Sequence, residues 1–413
     1  MSLDKVKAAR KQQVGVLLDI GNSETRVRVK YKPLKGLGAE YTPVEMTFAL
    51  TNHFYGLESS YQISADYMNR ATTLLDIGGV RIAHGELVER EFVGSYEFPT
   101  GKVDKSAEPI TQWSIQLALL ETIYRLAEEW GIPASSVDVA FNIYCLVPPE
   151  EHQYNREAMS NLIAAIDVIK TLVPQADGSG YLCESHEIIC NDIQIYPEGI
   201  SAFYGIRVNI QNGVKMSVNK DVEKYMKGYA LVIDIGAGTT DLAIMQDGIL
   251  KADSRLSIND AGNHIISALL RNIKTNPKLR GRLMLGIRNV KSVMEEAIIN
   301  EGDGLLTEDC IDALNAAKEE LAASLANQIK TWANSMPIIS MVKGILVVGG
   351  ANIAAYRNGK LVSPAMDTFL IPKIRQFADL AELIPINNRD PRYLNLDGLE
   401  SIYLSKMSKR SAD

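Results

Sequence analysis

A basic surplus is missing from this 413-residue chain, in which 43 Lys and Arg stand against 50 Asp and Glu. A general nucleic-acid-binding face normally shows as a basic excess, so direct contact with DNA or RNA is not expected. Cysteine is scarce, and Cys145, Cys183, Cys190 and Cys310 show neither the paired spacing of a zinc site nor a disulfide framework. The five histidines, at 53, 84, 152, 186 and 264, are scattered without metal-ligand spacing, so no metal held by protein ligands alone is indicated. No apolar run approaches the ~20 residues a membrane-spanning helix needs. The N-terminus is polar and lacks the apolar core of a secretion signal. The expectation is a soluble, cytoplasmic protein with reduced thiols and no membrane contact.

What the chain does have is a repeat. Residues 229–244 (YALVIDIGAGTTDLAI) are a near copy of residues 14–29 (VGVLLDIGNSETRVRV), and laying Asp234 on Asp19 makes Asp-Ile-Gly-x-x-x-Thr coincide with apolar runs on both sides. Each copy reads as a buried strand of Val, Ile and Leu, a short Gly-containing turn, and a second strand. The hydrophobic content of 46% is ample for the cores of two such units or one large one.

The turn explains the residue types. Glycines beside the aspartate let backbone N–H groups approach an anion without Cβ obstruction, so each turn can cradle phosphate oxygens. Two facing turns can hold a polyphosphate between them. Asp19 and Asp234 cannot bind phosphate themselves, since like charges repel, but they suit a hydrated Mg²⁺ bridging it. A lone Asp-x-Gly is more often plain turn chemistry. Seven aligned positions with matching flanks favour the phosphate clamp.

The remaining elements read in order. Residues 31–106 look like a small irregular subdomain, with short strand-like pieces at 80–84 and 91–95. Pro109–Trp130 is an amphipathic helix with Trp113, Leu117, Leu120, Tyr124 and Ala127 on one face, stopped by Gly131. A strand over 137–147 ends at Pro148 and Pro149, which suits a βαβ arrangement. Glu198 lies past a strand end at the mouth of a small-residue-rich helix, where an acid also serves as a plain helix N-terminal residue. Helical stretches follow at 265–273, 288–299 and 307–334. Lys291 and Glu295, four apart, have the spacing of a solvent-facing ion pair worth only ~0.3–0.5 kcal/mol. Residues 342–352 form a buried strand ending in Gly349 and Gly350, a pair that lets backbone pass a flat ring. A last pattern, DPRYLNLDG at 390–398, precedes a helix over about 399–407.

The paired turns resemble the phosphate 1 and phosphate 2 hairpins of the actin, DnaK-chaperone and sugar-kinase ATPase superfamily. Residues 195–205, with Pro-Glu-x-Ile-x-Ala, resemble the connect 1 segment of plasmid-segregating, ParM-type bacterial actins. Residues 342–352 resemble the adenosine motif, and 390–398 the connect 2 segment. The resemblance implies an α/β, actin-like fold of two related domains, each a mixed sheet flanked by helices: 14–205 plus 375–413 with the 31–106 insertion, and 206–374. It implies ATP or GTP with Mg²⁺ in the interdomain cleft. Phosphates would be held at Gly21, Asn22, Ser23, Arg26, Gly236, Ala237, Gly238, Thr239 and Thr240, with further nucleotide contacts at Gly262, Gly349 and Gly350 and from Lys291 and Glu295. Asp19 and Asp234 would hold waters on Mg²⁺, and Glu198 would orient the attacking water. Arg26 stands where relatives often carry a lysine, exchanging a point-like ammonium for a planar fork. The implied function is an ATPase that forms head-to-tail filaments and segregates plasmid or other replicon DNA through an adaptor bound to a centromere. A small-molecule (sugar or acetate) kinase and a cell-shape filament of the MreB type are the alternatives.

Overall fold

In a computed structural model, the described residues are 12–33, 44–58, 72–85, 104–175, 181–275, 308–357 and 359–410, with isolated positions between them. Both repeats are β-hairpins. Gln12–Ile20 pairs antiparallel with Glu24–Tyr31, setting Asp19 opposite Arg26. Tyr229–Ile235 pairs antiparallel with Thr240–Gln246 in the same register, setting Asp234 opposite Asp241.

Each hairpin seeds a five-stranded sheet, and the two sheets are wired alike. In the first, the order is Ile189–Pro197, Val139–Val147, Gln12–Ile20, Glu24–Tyr31 and Val44–Thr51. In the second it is Glu382–Leu383, Val342–Val348, Tyr229–Ile235, Thr240–Gln246 and Ile249–Ile258. On one side of each first hairpin strand the neighbours run parallel, and on the other antiparallel. The first hairpin strands are buried over nearly their whole length, as an unbroken Val/Ile/Leu run requires when both faces are covered.

Helices supply the cover. Pro109–Trp130 starts with Pro at its first turn and ends on Gly131 at φ 62°, packing Leu117 and Leu120 into the first core with Trp113 and Tyr124 at its rim. Gly262–Thr275 and Glu308–Asn334 cover the second sheet through Ile265, Leu269, Leu314, Leu321 and Leu325. Two more helices fill the space between the halves. Ile200–Ile206 buries Phe203 under the second sheet, while Leu394–Arg410 buries Leu396, Leu399 and Tyr403 under the first. They approach so closely that a Cβ on Gly398 would fall on the Ser201 carbonyl. This last helix begins five residues before the expected 399.

Two expected boundaries move. Glu382–Leu383 hydrogen-bonds to Val342–Val348 and Ala378 and Ala381 bury in the second core, so residues 375–384 belong with the second half rather than the first. The 31–106 region gives Val44–Thr51 to the main sheet. Its strands Phe54–Leu57, Thr72–Ile77 and Val80–Gly85 form a separate sheet that also takes in Val168–Pro174 and Tyr181–Glu187. The expected strand at 91–95 and helix at 288–299 lie outside the described residues. Among the described residues no helix is long and apolar enough to cross a membrane.

Candidate nucleotide site

Both turns open onto one cleft between the two sheets. It is lined by Asp19, Gly21, Asn22, Ser23 and Arg26 from the first hairpin, Asp234, Gly236, Ala237, Gly238, Thr239 and Asp241 from the second, with Glu198, Gly349 and Gly350. Thirteen of the expected site residues therefore meet in one place, although they are spread over more than 300 positions of the chain.

The turns are held by different means. At the first, Asn52 reaches from the end of Val44–Thr51, donating through Nδ2 to the Gly21 carbonyl and accepting from Thr25 Oγ1 (2.8 Å) and Ser114 Oγ (3.0 Å). At the second, the backbone serves: Gly262 N–H donates to Gly236 O (3.0 Å) and Asn263 N–H to Ala237 O (2.8 Å). Thr240 and Gly262 are thus supports behind the turn and not part of the cleft lining. Thr240 faces away because strand alternation points its hydroxyl at the Asp260 carbonyl, 2.7 Å off. The amides of Gly21 and Gly236 are also spoken for, each closing its own turn on Glu24 O (3.0 Å) and Thr239 O (2.9 Å). Phosphate-facing amides must come from the other turn residues. Lys291 and Glu295 lie outside the described residues.

Glu198 follows Ile189–Pro197, and its N–H donates to Val147 O (2.8 Å), which fixes the strand end at the cleft. Its carboxylate is met by a residue with no sequence signal. Lys105 comes from the end of the inserted region, and its Nζ donates to Glu198 Oε1 (2.8 Å) and to Ile20 O (2.6 Å). The Lys105 N–H donates in turn to Glu151 Oε2 (3.0 Å). Burial works against the lysine's charge, but Glu198 and Glu151 outweigh it and hold the ammonium above its usual range.

Arg26 uses its fork fully. Its guanidinium meets Glu24 (2.6 Å), Asp19 Oδ2 (3.3 Å) and the Arg392 carbonyl (3.1 Å). A lysine has no planar fork with which to reach three such partners. Gly349 has φ 98°, and a Cβ there would strike the Asp234 carboxylate and the Ile235 carbonyl, so the strand end can pass the second aspartate only as glycine.

The three aspartates of the two turns are pushed toward protonation, even with Arg26 beside Asp19. Burial raises Asp19 to about 6, Glu198 adding to the rise while Arg26 opposes it. Burial with Glu198 raises Asp241 to about 7, despite a short hydrogen bond from Ser257 Oγ. Asp234 climbs to about 8 for the same reasons, with Asp19 and Asp241 adding their repulsion. Three buried aspartates raised in this way fit a divalent cation brought in with an anionic ligand. Among the described residues no three His, Cys, Asp or Glu are placed as direct ligands of one metal ion.

No protein-family model matches this sequence, and neither does any curated protein. Solved structures do resemble it. The actin-like protein Alp7A superposes over 97% of this chain and 98% of its own at a TM-score of 0.63, with 15% identity. The fold is actin-like. The archaeal actin homologue Ta0583 matches 94% of this chain and 99% of its own at TM-score 0.58 and 16% identity. A Bacillus thuringiensis ParM, solved with ATP, matches 96% and 99% at TM-score 0.57 and 16% identity. The paired sheets and the cleft between them are the two related halves of the actin-like fold.

Proposed function

We propose that this chain binds ATP with Mg²⁺ in the cleft, hydrolyses it, and uses the cycle to control a head-to-tail filament that moves plasmid or other replicon DNA through a DNA-bound adaptor. The observation that carries this reading is the convergence of both aspartate turns and Glu198 on one cleft. Amides of Asn22, Ser23, Ala237, Gly238 and Thr239 and the Arg26 guanidinium receive the phosphates. Asp19, Asp234 and Asp241 would hold Mg²⁺ through water, and the ion would supply charge neutralisation to the phosphates. Glu198 accepts a hydrogen bond from the attacking water and sets it in line with the terminal phosphorus. Lys105, bonded to Glu198 at 2.8 Å, keeps that carboxylate aimed. Positioning and charge stabilisation of this kind account for most of phosphoryl transfer. Solved relatives of the same fold include filaments, such as Alp12. A contact that does not close on itself gives an open polymer.

The test is light scattering with parallel pelleting after adding Mg²⁺–ATP, Mg²⁺–ADP or buffer, on the wild type and on Glu198→Ala. ATP-dependent assembly is expected, with phosphate release in the variant ~10²-fold slower or more and polymer correspondingly longer-lived. ATP binding without assembly at any concentration overturns the filament reading. Transfer of phosphate to an added sugar or acetate would make the chain a kinase instead.

A further inference from the structure

The segment 390–395 touches both halves at once. Pro391 O accepts from Gly349 N–H of the second half (3.2 Å), and Arg392 O accepts from Arg26 of the first (3.1 Å). Asn395, buried in the first turn of Leu394–Arg410, does this with a single side chain. Its Oδ1 accepts from Gly199 N–H (2.9 Å), the residue after Glu198, and its Nδ2 donates to Asp234 Oδ2 (2.8 Å). The amide's orientation is settled chemically, because a backbone N–H can only donate. The oxygen must face Gly199, so the NH₂ group must face Asp234.

We infer that Asn395 is a positioning residue for phosphoryl transfer, one amide that fixes the loop carrying the water-orienting Glu198 relative to the Mg²⁺-side carboxylate of Asp234. The inference rests on the proposed reaction. The physical case is that Glu198 and Asp234 come from different halves, both are acids, and each repels the other. The helix Ile200–Ile206 already packs against the second sheet and sets Gly199 beside Asp234, and Asn395 fixes the polar contact at that junction. A neutral amide with one acceptor and one donor ties them without adding charge.

Two variants separate the bonds. Asn395→Asp keeps an acceptor for Gly199 but sets a second carboxylate against Asp234, and Asn395→Leu removes both bonds at similar volume. Steady-state ATPase is measured beside thermal unfolding of the nucleotide-free protein. Loss of such a supporting bond lowers kcat by ~10–100-fold. The expected pattern is that loss in both variants with KM little changed. A wild-type kcat in both variants, or a raised KM and lowered unfolding midpoint with kcat unchanged, makes Asn395 a packing residue and overturns the inference while leaving ATP hydrolysis standing. A wild type that binds but does not hydrolyse ATP overturns the proposed reaction and this role with it.

Discussion

The two hairpin turns have the same register, the same aspartate and the same glycine, yet opposite charge across the strand pair. Opposite Asp19 stands Arg26; opposite Asp234 stands Asp241. The first turn is therefore internally neutralised, and its aspartate rises only to about 6. The second concentrates negative charge, and its aspartate rises to about 8. In the proposed reaction Arg26 weights the first turn toward phosphate oxygens and Asp241 weights the second toward the cation, while Asp19 and the second turn's amides share both tasks. Their supports differ as well, a side chain from outside the hairpin at the first and backbone carbonyls and amides at the second.

Exchanging the odd residues is the strongest way to break this comparison. Asp241→Arg should cut ATP affinity in the presence of Mg²⁺ by ~10²-fold or more while changing Mg²⁺-free binding far less, because a cation beside a cation costs several kcal/mol. Arg26→Asp should weaken binding with or without Mg²⁺. Titration calorimetry of both variants checks this, and equal Mg²⁺ dependence in the two would show that the turns are not specialised.

Next in size is Asn52→Ala, which strips Gly21, Thr25 and Ser114 of a buried partner. Unfolding free energy should fall by about 2–3 kcal/mol, the cost of leaving such groups unpaired, as read by urea denaturation. At the second turn the supporting side chain is Thr240, which makes one such bond, to the Asp260 carbonyl, where Asn52 makes three.

The acids then separate by pH. A carboxyl whose folded pKa lies above its unfolded value of ~3.9 stabilises the fold at low pH and loses that contribution as pH rises through the folded value. For Asp19 the loss is complete just above pH 6, and for Asp234 it runs on to just above pH 8. Thermal midpoints without nucleotide should therefore gain from Asp234→Asn increasingly up to about pH 8, but from Asp19→Asn only up to about pH 6. Saturating Mg²⁺–ATP should flatten both trends. The smallest effect expected is that of Arg26→Lys, a loss of a few-fold in ATP affinity through the missing fork, since the charge survives. A loss as large as that of Arg26→Asp would mean that the bond to the Arg392 carbonyl, and not the charge, is what the first turn requires.

Legibility followed distance along the chain. The hairpins, the helix Pro109–Trp130 and the glycine pair could be read because each is written in a short window, where alternation, apolar runs and turn residues act locally. Asp241 was within reach of the same reading, since it falls on Arg26 when the repeats are aligned. Lys105 and Asn52 were not, because neither the lysine before a helix nor the asparagine after a strand differs from countless surface residues until the fold brings it to a turn. Asn395 stood inside a recognisable pattern, but its partners are 196 and 161 residues away.

By itself, then, the sequence determined the elements and the doubling: hydrophobic periodicity dictates strands and helices, and a duplicated pattern dictates two like sheets. Which side chains face one another across the cleft was decided only in three dimensions. Burial depth, the pairing of Lys105 with Glu198 and the crowding that lifts three aspartates toward neutrality all depend on distances between segments that no local window contains. Charge interactions act through space with a strength set by the surrounding dielectric, so their outcome at this site belongs to the packed molecule.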